Sequence, residues 1–397
     1  MVRPVTKKLP ALLGFLIAVG PVSTDMYLPA FPAIAQQLHA AAAPQFSLAA
    51  YFAGLAIGQM TQGALSDRAG RRVPLLFGMA LYTLASLGCA LAWDLESLVC
   101  FRFLAALGCS AGLVVPRAMV RDLADGPAAA KMFSQLMLVM GVAPIVAPML
   151  GSLVVTFVSW RVVFLLCAVY GVAAIALVWF LLPDTLPAER RSRLGLVPVI
   201  LRYGTILRER SFITHALTGA FTSACLFAYL AATPQIFIGE YGWSAIQFAA
   251  LFGVNSSAYI GYSQLNPILV HRYGIAPVIT HAGRMLLAAC AALAVIAWAP
   301  FGAFAIAAAL LVSEAGFGLI QPCAMVGALS RHQAHAGSAS ALLGTLQYIG
   351  GAVAGLSMGA FANGTAKPMA GAMLACAICA LIAAGFRPRL APSAPEA

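Results

Sequence analysis

Charge is what this chain has least of. Asp, Glu, Lys and Arg make up 9% of its 397 residues, against about 25% in an ordinary soluble domain. So few charges cannot cover a soluble surface, which excludes a soluble protein with an enlarged core. Acidic residues are the scarcer sign, 12 against 23 basic ones, for a net charge of +11. In a soluble protein that excess would point to nucleic acid. Here the basic residues sit in short gaps between apolar runs, the pattern of loops at one face of a membrane, so no nucleic-acid partner is expected. Metal-ligand spacing is missing as well. His215, His271, His281 and His332 are scattered near the ends of apolar runs, and Arg284, near His281, is expected to snorkel to the interface. No P-loop, paired catalytic carboxylates or appended soluble domain is found. ATP-driven transport, a membrane enzyme and a sensor therefore lack support, and no metal or cofactor is expected. A cleavable signal peptide is also not evident. The first apolar run, from about Pro10, is too long for a signal core and contains Asp25 and several prolines, so it reads as a retained first span. The nine cysteines lie in or at the ends of apolar segments. Cys376 and Cys379 form a C-x-x-C inside a lipid-length run without a charged neighbour, which reads as packing rather than redox chemistry.

What is abundant is apolar sequence: 62% of residues are hydrophobic and the mean hydropathy is +0.93. A bilayer-spanning helix needs about 20 apolar residues. Twelve spans fit, at 10–35, 46–66, 73–93, 96–120, 130–157 and 160–182, then 211–238, 243–270, 275–298, 301–329, 334–362 and 367–386. One long polar stretch, Pro183 to Arg210, separates the sixth from the seventh. The expected fold is an all-α membrane protein of two six-helix halves: a bundle over 1–185, a solvated linker over 186–210 and a second bundle over 211–397. Alternate loops carry the basic residues: Arg3, Lys7 and Lys8, then Arg68, Arg71 and Arg72, then Arg121 and Lys131, the linker, Arg272, Arg331, Arg387 and Arg389. The opposite loops carry only Arg161 and Lys367. Both termini are expected in the cytoplasm. An internal repeat supports the two halves. Leu65–Ser66–Asp67–Arg68–Ala69–Gly70 can be laid on Leu269–Val270–His271–Arg272–Tyr273–Gly274 at an offset of 272 − 68 = 204 residues, each segment following the second span of its half.

Three motifs define a resemblance. Gly63–Ala64–Leu65–Ser66–Asp67–Arg68–Ala69–Gly70–Arg71–Arg72 matches G-x-L-x-D-R-x-G-R-R/K after span two, and Ser23–Thr24–Asp25–Met26–Tyr27–Leu28–Pro29–Ala30–Phe31–Pro32 matches S-x-D-M-Y-L-P-x-x-P in span one. Gly141–Val142–Ala143–Pro144, continuing through Pro148 to Gly151, is a Gly/Pro pattern in span five, and Trp160–Arg161 with Phe164 open the next span. Over essentially its full length the chain resembles the major facilitator superfamily, and in its first span the Bcr/CflA drug-resistance branch. Span four begins Arg102–Phe103–Leu104 like the R-F-L-Q-G segment of the family, but Ala105 and Ala106 replace the polar residue and the glycine.

The resemblance implies a substrate site between the halves near the bilayer midplane. Gly63, Asp67, Arg68, Gly70, Arg71 and Arg72 are expected to gate it. Gly141, Pro144, Pro148 and Gly151 either help the fifth helix rock or serve ordinary helix packing. It also implies proton-coupled efflux of drugs or other amphipathic small molecules across the inner membrane, by a monomer. Proton symport importing a small metabolite shares the fold and the gate, so it stays open.

Two acidic residues, Asp25 and Glu314, fall well inside apolar spans. An Asp at the bilayer centre costs about 2.5–3.5 kcal/mol on insertion scales, so it should face protein or a water-filled cavity. Arg102 enters span four from the side toward which Asp25 lies. The pair is expected either to carry the proton or to lock the helices statically, since burial and a nearby guanidinium act oppositely on a carboxylate's proton affinity. Glu314 is either a second proton site or cation contact, or a carboxyl held within the bundle. Thr24, Asp25, Tyr27, Tyr51, Gln59, Gln135, Phe221, Tyr229, Asn255 and Gln347 supply the aromatic and polar lining expected of a promiscuous small-molecule site.

Overall fold

The computed structural model describes residues 9–124, 126–191, 196–299, 301–332 and 335–388. Arg3, Lys7, Lys8, Arg193 and Arg389, which contribute to the charge bias, lie outside them. Among the described residues there is no strand. The first half comprises α1 (Leu9–Ile17), α2 (Val19–Asp25), α3 (Phe31–Gln37), α4 (Ala43–Ala69), α5 (Arg72–Ala90), α6 (Leu95–Leu123), α7 (Gly126–Phe157) and α8 (Trp160–Leu181). After α9 (Leu196–Leu207) come α10 (Arg210–Pro234), α11 (Ala245–Tyr273), α12 (Ile275–Trp298), α13 (Ala303–Leu329), α14 (Ala336–Ala360) and α15 (Lys367–Gly385). With α1 to α3 counted as one span, this is the twelve-helix, two-bundle fold expected. Ten of the spans are long and apolar enough to cross a membrane by length and composition. The other two, α4 and α11, are as long, at 27 and 29 residues, but carry more amide, hydroxyl and charged groups. They hold corresponding places in the two halves.

Local chemistry explains where helices start and stop. Asp94 and Ser97 cap α6 reciprocally, and Ser244 and Gln247 do the same for α11. Glu209 accepts from the backbone N–H groups of Ser211 and Phe212 at the start of α10. Both α4 and α11 end on a glycine at positive φ, Gly70 at 87° and Gly274 at 82°, the two glycines that the repeat aligns.

Two elements depart from the expectations. The first span is broken rather than continuous: α2 ends at Asp25, and a 3₁₀ turn at Leu28–Ala30 leads into α3. Pro29 and Pro32 each stand in the first turn of the helical piece they open, where the missing N–H is not needed. The linker is not wholly solvated, because α9 forms within it. Tyr203 and Ile206 of α9 are buried against Phe212, Ala216, Ala328 and Leu343, and the Tyr203 hydroxyl donates to the Met60 carbonyl of α4 at 3.2 Å.

The halves meet along α4 against α14 and α7 against α11. On the first seam glycines of α14 let α4 come close: Gly355 faces Ala49, Gly359 the Phe46 ring and Gly344 the Gln59 side chain. Thr345 donates across it to the Ala56 carbonyl at 3.1 Å. At the end far from the linker, Gln45 donates to the Gln235 side chain, and Gln235 donates to the Ala41 carbonyl at 2.8 Å.

Candidate functional site

The helix break places Asp25 at the end of α2, 7% exposed. The Thr24 hydroxyl lies 2.9 Å from its Oδ1 and 3.0 Å from the Gly20 carbonyl, so one proton serves either acceptor. Gly151 lets α7 close on this turn, because a Cβ there would overlap the Met26 carbonyl. Asp25 is within electrostatic reach of Tyr229 and Tyr348 in the second half.

Arg102 does not pair with it. The Asp25–Arg102 ion pair expected from the sequence is not among the ion pairs of the described residues. Arg102 is 1% exposed and donates from Nη1 to the Ser23 carbonyl at 3.1 Å. Its guanidinium carbon stands 4.1 Å from the Tyr51 ring centre, 4.6 Å from Tyr27 and 5.7 Å from Phe164. Three electron-rich faces take the place of a carboxylate. Arg102 therefore holds the backbone two residues before Asp25, and its Nε and Nη2 keep no partner. Tyr27 and Tyr51, expected in the lining, are committed to this cage. The Tyr27 hydroxyl also bonds Ser47 and donates to the Pro44 carbonyl, which fixes the start of α4.

In the second half Glu314 of α13 is 3% exposed, and among the described residues its carboxylate makes no hydrogen bond. It lies within electrostatic reach of Tyr229 and Tyr259. Tyr229 accepts from Asn255 Nδ2 at 3.1 Å and stacks on Phe252. Asn255 and Tyr229 are thus joined within the second half, while among the described residues neither Asp25 nor Glu314 makes a hydrogen bond to them. Gln347 likewise donates within its own half to Gln321 at 3.1 Å. Gln59 is buried against Gly344, Phe221 is half-buried on α10, and Gln135 is exposed on α7.

Several residues escaped the sequence reading. Phe52 of α4 meets Phe227 of α10 at 4.1 Å between ring centres, and Tyr348 of α14 stacks 6.2 Å from both. This aromatic cluster joins the halves one residue away from the expected Tyr51 and Gln347. Arg117, inside α6 after Pro116, lies within electrostatic reach of Tyr348, and its Nε has no partner. An arginine in the last turn of an apolar span, after Pro116, was the signal for it.

The gate residues gather at the linker end. Arg71 Nη1 donates to Asp67 at 2.5 Å and to Ser66 at 2.9 Å, while its Nε and Nη2 reach Asp122 at 2.7 and 3.1 Å. The Arg71 backbone N–H donates to Asp184 at 2.9 Å, and Asp184 also takes a bond from Arg191 at 2.9 Å. Burial works against the Arg71 charge, but the Asp122 and Asp67 carboxylates outweigh it and hold its proton more tightly than usual. Arg72 lies over Trp179, Arg68 is exposed, and Gly63 has open space beside it. In α7, Gly141 faces Ile260 of α11, and Pro144 and Pro148 interrupt its hydrogen-bond ladder. At the far end Trp160 and Arg161 both donate to the Gln37 side chain, and Arg161 reaches the Ala92 carbonyl at 2.9 Å.

Two helical bundles with carboxylates buried in apolar spans, and a charged latch at one end, suit a membrane transporter. A solved D-xylose–proton symporter shares the fold, with a TM-score of 0.75 over 97% of each chain at 15% identity. The Major Facilitator Superfamily is matched over residues 13–355. The MFS-type transporter YdgK of Bacillus subtilis (strain 168) is 37% identical over 92% of each chain. A bicyclomycin resistance protein homolog of Haemophilus influenzae (strain ATCC 51907 / DSM 11121 / KW20 / Rd) is 30% identical over 94% of each. The chain belongs to the major facilitator superfamily.

Proposed function

We propose that this chain is a proton-coupled exporter of drugs or other amphipathic small molecules, working by alternating access across the inner membrane with both termini in the cytoplasm. The relationship to a bicyclomycin resistance protein homolog supports efflux, and the basic loops on the linker side support the orientation. The observation that carries the coupling is Asp25. It is a buried carboxylate at a helix break, without an arginine partner among the described residues. Movement of the halves changes what surrounds it, and so its hold on a proton. Protonation from the periplasm weakens its grip on a polar or cationic substrate. Release of the proton to the cytoplasm restores that grip. Glu314, buried in α13 of the second half, is the second proton or cation site. The Phe52–Phe227–Tyr348 cluster offers apolar faces, and Arg117 beside it offers an acceptor-bearing substrate a donor.

A compound panel on everted vesicles with an imposed pH gradient tests this directly. Substrate-triggered proton release is expected from the wild type and none from Asp25→Asn. Full efflux by that variant removes Asp25 from the mechanism. Proton entry that accompanies substrate uptake in whole cells replaces export by symport.

A further inference from the structure

At the linker end of the second half a cavity of about 250 Å³ opens between the starts of α10 and α12 and the end of α15. Among the described residues its wall includes His215, Ile275, Thr280, Ala384 and Arg387, and no carboxylate. The Arg387 side chain is half-buried. Its Nε donates to the Ala384 carbonyl at 2.6 Å and its Nη2 to Thr280 at 3.0 Å, while Nη1 is buried without an acceptor. A charged donor left unsatisfied is costly unless an acceptor arrives.

The first half shows what fills the matching place. At the repeat offset, Arg71 corresponds to Ile275, because 71 + 204 = 275, and Asp184 corresponds to Pro388, because 184 + 204 = 388. In the first half the backbone N–H of Arg71, beside the start of α5, donates to the Asp184 carboxylate, which also binds an arginine. In the second half α12 starts at Ile275 without a side-chain cap, and the neighbour of Pro388 is Arg387. The other two latch carboxylates, Asp67 and Asp122, map to His271 and Val326. The second half keeps the helix start, has an arginine, Arg387, one residue before the place of Asp184, and carries no acid at the three aligned positions.

We propose that a phosphate-bearing anion from outside the chain occupies this cavity, bound by Arg387 and the N-terminus of α12, where the first half uses Asp184. The cavity opens at the end of two spans, and Ile382 and Phe386 beside it are exposed. A phospholipid headgroup of the linker-side leaflet can therefore enter with its chains along α15; free phosphate offers the same chemistry.

Thermal unfolding of the purified transporter in neutral detergent tests the site. Dioctanoyl phosphatidylglycerol should raise the midpoint in a saturable way, and dioctanoyl phosphatidylcholine, whose phosphate is neutralised by its own ammonium, should do so less. Arg387→Gln should weaken the phosphatidylglycerol response about tenfold or more in concentration, the scale of one lost charged hydrogen bond. Pro388→Asp supplies the missing carboxylate internally. It should abolish the response while unfolding no earlier than the wild type. An equal midpoint rise with inorganic phosphate at the same concentration identifies a free anion as the ligand; a rise with the lipid alone identifies a headgroup. Undiminished phosphatidylglycerol responses in both variants, or no response in the wild type, overturn the proposal.

Discussion

After the second span of the first half, the chain turns at Gly70 into a network of three carboxylates around Arg71; after the second span of the second half, it turns at Gly274 into none. The two glycines have nearly the same backbone conformation, so the turn itself does not require the acids. Among the described residues the carboxylates add a latch at this turn in the first half only. Asp67 on α4 and Asp122 on α6 are fastened to the Arg71 guanidinium, and Asp184 after α8 to the Arg71 backbone N–H. In the second half Arg272 stacks on its own neighbour Tyr273 and fastens nothing else described. Identical turns with different fastening let one end of the molecule be held firmly on one side and adjustably on the other.

The comparison can be broken most severely at Arg71. Arg71→Ala leaves Asp122 largely buried without its counter-charge, a loss on the order of 3–5 kcal/mol, while Ile275→Ala at the aligned position removes only apolar contact. Thermal unfolding and transport of the two variants should differ accordingly, and similar losses would end the asymmetry. Next come the glycines. Both occupy backbone space that other residues enter at a cost of roughly 1–3 kcal/mol. In addition, a Cβ on Gly70 would overlap Asp184 and Arg191, whereas one on Gly274 would meet only Pro277, at 3.9 Å. Gly70→Ala should therefore lower the unfolding midpoint more than Gly274→Ala.

Glu209, the cap where the second half begins, gives a smaller, pH-dependent effect. Burial raises the affinity of its carboxyl for a proton, but the backbone N–H groups of Phe212 and Ser211, with Arg331 and His332, outweigh this and hold it below the usual range. A carboxylate lowered in the folded state stabilises above its unfolded pKa, and that contribution fades as pH falls through the folded value. Glu209→Gln should cost about 1 kcal/mol at neutral pH. That difference should vanish in acid, below the ordinary carboxylate range, in unfolding followed against pH. Smallest of all, Arg272→Gln, on an exposed side chain, should change stability by about 0.5 kcal/mol or less.

Much of this was legible in the sequence, for physical reasons that also set the limits. Apolar length exposes a span, so the twelve helices and the two halves could be read even for α4 and α11, whose polar groups make them the weakest signals. The break at Asp25 was visible as Pro29 and Pro32, yet a strongly apolar flank hid it inside one long run. Helix α9 escaped because charge density around it suggested solvent, while two residues, Tyr203 and Ile206, supply its buried face. Pairing was the least legible. Asp25 and Arg102 were marked by their cost in a membrane, but which groups meet depends on helix rotation. A rotation of one residue separates Tyr51, turned to Arg102, from Phe52, turned to the other half.

The α4–α14 seam carries a consequence of its own. Gly355 takes the backbone and Cβ of Ala49, Gly359 the Phe46 ring and Gly344 the Gln59 side chain, so at these places α14 presents no side chain of its own to α4. Such a surface behaves as a bearing: sliding or tilting across it needs few rotamers to reset, so it resists motion weakly while holding the spacing constant. The pace of any rocking then falls to the polar catches along it and at its two ends, Thr345 with Ala56, Gln45 with Gln235 and Tyr203 with Met60.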